Sequence, residues 1–551
     1  MISLRNVAYQ VEPDDEAPVK ILTDINLEIA GGEKLAVMGA NGSGKTTIAR
    51  LIAGLLYPTS GEVRVGGHLT SEDGFRQNLG RRAGFLFQNP DHQIVSVNVE
   101  RELALGLENY GYDGRDISTR VEDYIKKYRL ENVLKTPPHK LSGGEKRKLG
   151  LGSVMILEPN ILILDEPMAH LDKIGKDIFK NELSKLLEDE AMTLIYITQS
   201  IEEVTGLDRL IIMDGGGIAR ACTISEGLND RDALIRYGIG YPLWMDIENQ
   251  DAIKRARLEA ATEAREEIRS ADAHTGVTLE CREISFGWKG QKEIIEELNL
   301  DLGKGKIHGL LGRTGCGKTT LALILAGLVK PDQGRIKLNG SKASLKDLIR
   351  SVAYIFQNPE RGMFAETVFD DIAYGPKNFG YKGAMLDDAV RRSLEMVGLD
   401  FDRFKDRSPH TLSGGEARLA AIAGGLAVEK DIVIMDEPTE ELDFKGQNRI
   451  KQIVKQLARD GKSVLLISHD SDFLFEVCDY LSLCLNLSAQ CFNKFELYDK
   501  PDLFPESQVE VPKILEFAYN LGLSSEFRSA GIDTFEDLNF LMPRENDSGL
   551  I

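Results

Sequence analysis

Two hydrophobic patterns alternate along this chain, and the same succession occurs twice. Each half opens on an alternating, strand-like segment, ISLRNVAYQV from residue 2 and VTLECREISFGW from residue 277. Such alternation marks a strand with one buried and one solvated face. Short, almost wholly apolar runs follow: LAVMG, ILILDE and TLIYIT in the first half, IHGLLG, IVIMDE and SVLLIS in the second. Runs this apolar fit strands covered on both faces, and the amphipathic helical stretches between them supply crossovers. The pattern predicts an α/β fold with a parallel sheet in each half.

Landmarks of the two halves keep a nearly constant distance. Lys45 and Lys318 lie 273 residues apart, Gln88 and Gln357 269, Ser142 and Ser413 271, Glu166 and Glu437 271, and Gln199 and His469 270. A fixed period of this size is a tandem duplication. The expected organisation is a first domain over 1–245, a linker over 246–276, a second domain over 277–485 and a C-terminal extension over 486–551. Within the linker, DAIKRARLEAATEAREEIRS at 251–270 is rich in Ala, Glu and Arg without Gly or Pro. It reads either as a solvated helix or as a partly disordered stretch.

Composition narrows the partners. A formal charge of −20 argues against a broad nucleic-acid surface, which needs clustered Lys and Arg. It is compatible with a nucleotide, whose phosphates need only a local nest of backbone amides. Six cysteines show neither CxxC spacing nor a metal pattern, so reduced thiols are expected, without zinc or disulfides. No apolar run approaches the ~18 residues of a membrane span, and the first residues carry no leader pattern. The expected location is the cytosol, with any membrane role supplied by partner subunits.

Chemistry enters with two phosphate loops, GANGSGKT at 39–46 and GRTGCGKT at 312–319, each between a strand and a helical run. Both fit GxxxxGK[ST], in which glycines let successive N–H groups turn toward phosphate oxygens at a helix N-terminus. Gly39, Asn41, Gly42, Ser43, Gly44, Lys45, Thr46 and Thr47 are the nucleotide-binding candidates of the first half, and Gly312, Thr314, Gly315, Cys316, Gly317, Lys318, Thr319 and Thr320 those of the second. The lysines would neutralise β and γ phosphates, and Thr46 and Thr319 would hold Mg2+. ILILDEP and IVIMDEP place acids at strand C-terminal ends, where doubly wound sheets bind ligand. Asp165 and Asp436 can reach the Mg2+ shell there, and Glu166 and Glu437 can face an attacking water. The plainer reading is a helix cap after a strand. LSGGEKRK and LSGGEARL put Ser142, Gly143, Gly144, Ser413, Gly414 and Gly415 at helix starts, where S-x-x-E is also a capping box.

The order phosphate loop, Gln, LSGGE, DEP and His in each half resembles the ATP-binding-cassette (ABC) ATPase family. The resemblance implies two tandem ABC-type nucleotide-binding domains, each a P-loop parallel-sheet core with an antiparallel β subdomain and a helical signature subdomain, plus a small C-terminal extension. It implies ATP and Mg2+ as cofactors and composite sites in which the LSGGE helix of one domain faces the phosphate held by the other. One site would use Lys45, Thr46, Gln88, Asp165 and Glu166 with Ser413, Gly414 and Gly415. The other would use Lys318, Thr319, Gln357, Asp436, Glu437 and His469 with Ser142, Gly143 and Gly144. Gln88 and Gln357 are implied both near Mg2+ and in catalysis. Gln199 stands where the second half has His469, so the two sites are expected to be unequal. Trp288 matches the family's adenine-stacking aromatic, against Val11 and the nearby Tyr9 in the first half; each aromatic is equally well explained by packing.

FQNPDHQIVSVNVERELALG at 87–106, FQNPERGMFAETVFDDIAYGP at 356–376 and DRSPHTLSGGE at 406–416 look most like ATPase subunits of energy-coupling factor importers. That resemblance implies import of vitamins or transition-metal ions through a transmembrane coupling protein and a small substrate-binding membrane protein, at the cytoplasmic face of the membrane. The second half carries Gly362 in the region of Gln93. A soluble tandem ATPase acting on ribosomes or nucleic acid is the alternative; the charged arm, basic patches or cysteine clusters usual there are not visible in this sequence.

Overall fold

The alternating opening segment folds as β1 (Ile2–Val11), whose Ile2, Leu4 and Val7 are buried while its other face meets solvent. The computed structural model describes residues 1–11, 18–72, 82–128, 130–141, 143–169, 171, 173–188, 191–240, 276–288, 294–313, 315–440, 442–485, 487–522, 524–530 and 532–534. Two units result, Met1–Tyr241 and Pro242–Ile551. The expected linker over 246–276 falls almost wholly outside the described residues, as do Ser142 and Thr314.

In the first unit, β1 pairs antiparallel with β2 (Val19–Ile29) and β4 (Ser60–Val65), and β5 (His68–Leu69) completes a four-stranded sheet. The larger sheet has six strands: β3 (Lys34–Met38), β6 (Ala83–Leu86), β7 (Ile161–Asp165), β8 (Thr193–Ile197), β9 (Arg209–Asp214) and β10 (Gly217–Thr223), in the order β10-β9-β3-β8-β7-β6. All neighbours are parallel except β9 with β10. Every residue of β3, β7 and β8 is buried, as their uninterrupted apolar runs require. Helix α1 (Lys45–Ile52) covers the sheet beside the phosphate loop, and α2 (Val99–Asn109) packs on α3 (Gly143–Met155), the LSGGE helix.

The second unit repeats this plan. A four-stranded antiparallel sheet runs β12-β11-β14-β15, from β11 (Val277–Phe286), β12 (Ile295–Gly303), β14 (Gln333–Leu338) and β15 (Ser341–Lys342). The six-stranded sheet runs β16-β17-β18-β13-β19-β20, from β13 (Ile307–Leu311), β16 (Val352–Ile355), β17 (Ile432–Asp436), β18 (Ser463–Ser468), β19 (Tyr480–Leu485) and β20 (Ser488–Asn493). Helix α4 (Lys318–Leu325) follows the phosphate loop, and α5 (Val368–Asn378) packs on α6 (Gly414–Leu426).

Residues after 486 do not hang from this unit. β20 pairs antiparallel with β19 from Tyr480↔Asn493 to Leu485↔Ser488 and forms the sheet edge, as β10 does in the first unit. Beyond it, Phe504, Ile514, Leu515, Ala518, Phe527 and Ile532 join the same core cluster as Leu474 and Phe475. They come from segments that include α8 (Lys513–Leu521) and α9 (Ser524–Ala530), and helix α7 (Ser471–Val477), which starts two residues after His469, adds Phe473 and Val477 to the same cluster. Asp472 on α7 accepts the Lys513 amide at 2.7 Å, and the buried Lys494 ammonium ion-pairs with Asp533. Because Phe527 is fully buried, Phe527→Ala should cost about 3–5 kcal/mol. A urea titration should show that loss in the transition of the second unit; an unchanged midpoint would mean that the tail is not part of its core.

Candidate active site

Each phosphate loop starts where its strand ends and runs straight into a helix, so its shape is set by strand, glycines and helix together. A Cβ on Gly39 would stand 2.3 Å from the Met213 carbonyl oxygen, and one on Gly312 2.6 Å from Cys484 Cβ. Gly44 and Gly317, the residues capping α1 and α4, sit at φ of 101° and 96°, a left-handed turn that glycine adopts without strain. The buried Lys45 ammonium donates to the carbonyls of Gly39 and Ala40, both at 2.8 Å. Lys318 donates to Gly312 at 2.6 Å and Arg313 at 3.1 Å, which holds each charge over its own loop.

Thr319 Oγ1 donates to Asp436 Oδ2 at 2.7 Å, and the Tyr354 hydroxyl donates to the same oxygen at 3.1 Å. Thr46 bonds Asp165 in the matching place. Burial pushes the Asp165 carboxyl up to about 6, against the pull of that Thr46 bond. Asp436 is raised for the same first reason, with Thr319 opposing. Carboxylates made proton-seeking by desolvation suit a divalent cation. Ser43 Oγ, buried in the loop, has no hydrogen-bond partner among the described residues, as fits a loop shaped around an anion. The donor set therefore fits Mg2+ and phosphate.

Glu166 and Glu437 occupy φ of 45° and 48°, uncommon for a side-chain-bearing residue. Their amides bond Ile197 O at 2.9 Å and Ile467 O at 2.8 Å, so the neighbouring strand over-determines the turn that lifts each carboxylate off the sheet. From here the units differ. Glu166 Oε2 accepts from Gln88 Nε2 and Oε1 from Gln199 Nε2, both at 3.0 Å. Gln199 Nε2 also donates to Asn41 Oδ1 at 2.8 Å. Around Glu437, three groups converge on Oε2: Ser468 Oγ at 3.0 Å, His469 Nδ1 at 3.0 Å and the His469 amide at 3.3 Å. No hydrogen bond reaches its Oε1 among the described residues. Gln357, implied near Mg2+ and in catalysis, donates to Glu440 Oε2 at 2.9 Å.

The LSGGE helices bear out the capping box where it can be seen. Ser413 Oγ accepts the Glu416 amide at 3.3 Å, and Glu416 Oε2 accepts the Ser413 amide at 2.9 Å. A Cβ on Gly414 or Gly415 would meet nothing within 4 Å, so the helix start is open to close approach. Trp288 is half-exposed and packs edge-to-face on Phe286 with centroids 5.0 Å apart; Tyr9 packs on the core, and Val11 is exposed.

Sequence reasoning missed two arginines. Buried Arg147 donates to the carbonyls of Phe87 and Gln88, both at 2.7 Å, and Arg418 to those of Gln357 at 2.9 Å and Glu437 at 2.7 Å. Burial lowers the Arg147 guanidinium to about 10. Each ties the LSGGE helix to the glutamine loop, and Arg418 also to the catalytic strand end. Their 271-residue offset, shared with Ser142 and Ser413, was the signal available. Removing Arg418 leaves the buried Glu437 carbonyl and the part-buried Gln357 carbonyl without their charged donor, a loss of about 2 kcal/mol or roughly 30-fold in rate. Arg418→Ala should thus lower kcat with little change in KM for ATP; a wild-type kcat would exclude the positioning role.

The ABC transporter family profile matches residues 22–169 and 295–440. A provisionally named ABC transporter ATP-binding protein of Caldanaerobacter subterraneus is 30% identical over 93% of this chain and 95% of its own length. A similarly named protein of Bifidobacterium longum is 32% identical over 83% of this chain, which spans 62% of that relative's length. Among solved structures, a cassette from Clostridium perfringens described as part of the ABC transporter complex cbiONQ is 24% identical, covering 44% of this chain and 99% of its own, with a TM-score of 0.39.

Proposed function

The chain belongs to the ABC transporter family and is an ATPase with two tandem cassettes, and we propose that it powers an importer of the energy-coupling factor type. Thr46, Gln88 and Asp165 in one unit and Thr319, Gln357 and Asp436 in the other are the residues that would hold Mg2+, which would neutralise charge on the phosphate oxygens. Lys45 and Lys318 hold phosphate charge. Glu166 and Glu437 orient water and take its proton. Nucleotide binding draws the two halves together and hydrolysis releases them, a population shift driven by ligand.

The observation that carries the membrane part is a pair of apolar tips just beyond the glutamine loops. Val97 is 75% exposed in the first unit and Phe364 66% in the second, with Val95 and Tyr374 beside them. Neither tip is slack. Glu102 Oε2 accepts the amides of Val95 at 3.1 Å and Ser96 at 2.8 Å, and Asp371 Oδ1 those of Phe364 at 2.8 Å and Ala365 at 3.1 Å. A carboxylate holding large apolar side chains out toward water suits a docking surface. Gln93 is turned inward, donating to Gly150 O at 2.8 Å and Ser153 Oγ at 3.0 Å, so it serves the tip rather than the partner.

No helix among the described residues is long and apolar enough to cross a membrane, so the partners in this reading are a transmembrane coupling protein and a small substrate-binding membrane protein. Vitamins or transition-metal ions are the cargo, and the protein works at the cytoplasmic face. Photo-crosslinkers at Val97 and Phe364, followed by mass spectrometry, should capture an integral membrane protein. Capture of ribosomal proteins or RNA alone would replace this reading with that of a soluble tandem ATPase.

A further inference from the structure

Cys316 and Cys484 are 168 residues apart in sequence, yet the fold brings their sulfurs to the same point of the second phosphate loop. A Cβ on Gly312 would stand 2.8 Å from Cys316 Sγ and 3.4 Å from Cys484 Sγ, and the two thiols are hydrogen-bonded to each other. Cys316 lies inside the loop that cradles phosphate. Cys484 lies near the end of β19, one residue past Leu483, which pairs with Leu311 at the end of β13. Neither is fully buried, so a small oxidant can reach them.

The first unit lacks this pair. There the atoms around Gly39 are Ser43 Oγ, at 2.8 Å from its constructed Cβ, and the Met213 carbonyl. Met213 follows Ile212, the partner of Met38, as Cys484 follows Leu483. Any thiol chemistry at this position is therefore confined to the unit that carries His469.

We propose that Cys316 and Cys484 form a modification site, at which a hydroperoxide joins the two sulfurs and reversibly shuts the second phosphate loop. Cys316 is the attacking sulfur. The hydrogen bond from Cys484, with help from the Lys318 ammonium, draws its thiol down to about 6 in spite of burial, while Cys484 is pushed up and stays protonated. In the first step the Cys316 thiolate attacks a peroxide oxygen. The S–O bond forms, the O–O bond breaks, and the departing oxygen leaves as water or alcohol, giving a sulfenic acid. Cys484 then gives up its proton and attacks that sulfur; the S–S bond forms and hydroxide leaves as water. Two thiols lose two electrons and two protons in total, and one hydroperoxide accepts them.

The bond closes the loop because it shortens the contact. Sulfurs in a disulfide stand about 2.05 Å apart, more than ~1 Å closer than hydrogen-bonded thiols. Loop amides aimed at phosphate tolerate shifts of only about 0.5 Å. Pulling residue 316 toward β19 therefore takes the cradle out of register just ahead of Lys318.

The test treats the full-length protein with hydrogen peroxide and follows ATPase activity alongside peptide mass spectrometry. Expected are a Cys316–Cys484 cross-linked peptide and at least a tenfold fall in turnover, both reversed by a dithiol reductant. Cys484→Ser, compared with its own untreated rate, should form no cross-link and, with Cys316 stopping at the sulfenic acid, should lose less turnover than the wild type at the same peroxide dose. Three results would overturn the proposal: no cross-link in the oxidised wild type, a cross-link without loss of turnover, or an equal loss in Cys484→Ser.

Discussion

Glu437→Gln should remove nearly all steady-state ATPase activity, about 10²–10³-fold, while Glu166→Gln should leave a substantial fraction of it. Both substitutions keep shape and delete one charge, so a difference between them reports the surroundings of each carboxylate. At Glu437 the hydroxyl, imidazole and amide donors all meet Oε2, which leaves Oε1 without a hydrogen bond among the described residues. At Glu166 an amide donor sits on each oxygen, from Gln88 and Gln199, so both oxygens are already engaged. Turnover is therefore expected to run mainly through the second unit. The measurement is the steady-state ATPase rate of the full-length protein, each variant against wild type. Equal losses would mean that the two sites are equivalent or strictly coupled, and the asymmetry would have to be abandoned.

Much of this site was legible because its chemistry is local in sequence. A phosphate loop is a strand end, a glycine turn and a helix start, all within a dozen residues, and both loops fold as their motifs imply. The buried strands were legible for a similar reason: an apolar run such as ILILD has no polar face to leave outside. What escaped detection depends on distant residues meeting. Nothing near Gln357 in sequence indicates that its amide will reach Glu440 rather than Glu437, and nothing near Cys316 points to Cys484. The arginines of the LSGGE helices were hidden differently, since Lys and Arg on a helix ordinarily read as a solvated face. Burial reverses that reading, and only the packed structure supplies it. The tail shows the same limit: the sequence places its helices beyond the last motif, while Phe504, Phe527 and Ile532 lie in one core cluster with Leu474 and Phe475 of the helix that follows His469.

Exchanging the two switch residues should shift the activity of each site toward that of the other. Gln199 has one terminal amide, and its two protons are engaged, by Asn41 Oδ1 at 2.8 Å and Glu166 Oε1 at 3.0 Å. No donor of that side chain remains for a γ phosphate in this arrangement. An imidazole differs in having a second nitrogen across the ring from the one that meets the carboxylate, and it can carry positive charge. His469 places Nδ1 against Glu437, and the rigid ring then fixes where Nε2 points. Losing a transition-state donor of this kind costs about 2.7–4 kcal/mol, or 10²–10³ in rate. His469→Gln should therefore bring total turnover down to the residue left by Glu437→Gln, with ATP affinity changed little because Lys318 and the loop are untouched. Gln199→His in the Glu437→Gln background should raise turnover above that residue, since Glu166 is already in place to receive the proton. Single-turnover rates with tightly bound ATP separate this chemical effect from binding. If His469→Gln retains wild-type turnover, an amide suffices at this position, and any difference between the sites must be traced to the two donors that hold Glu166 instead.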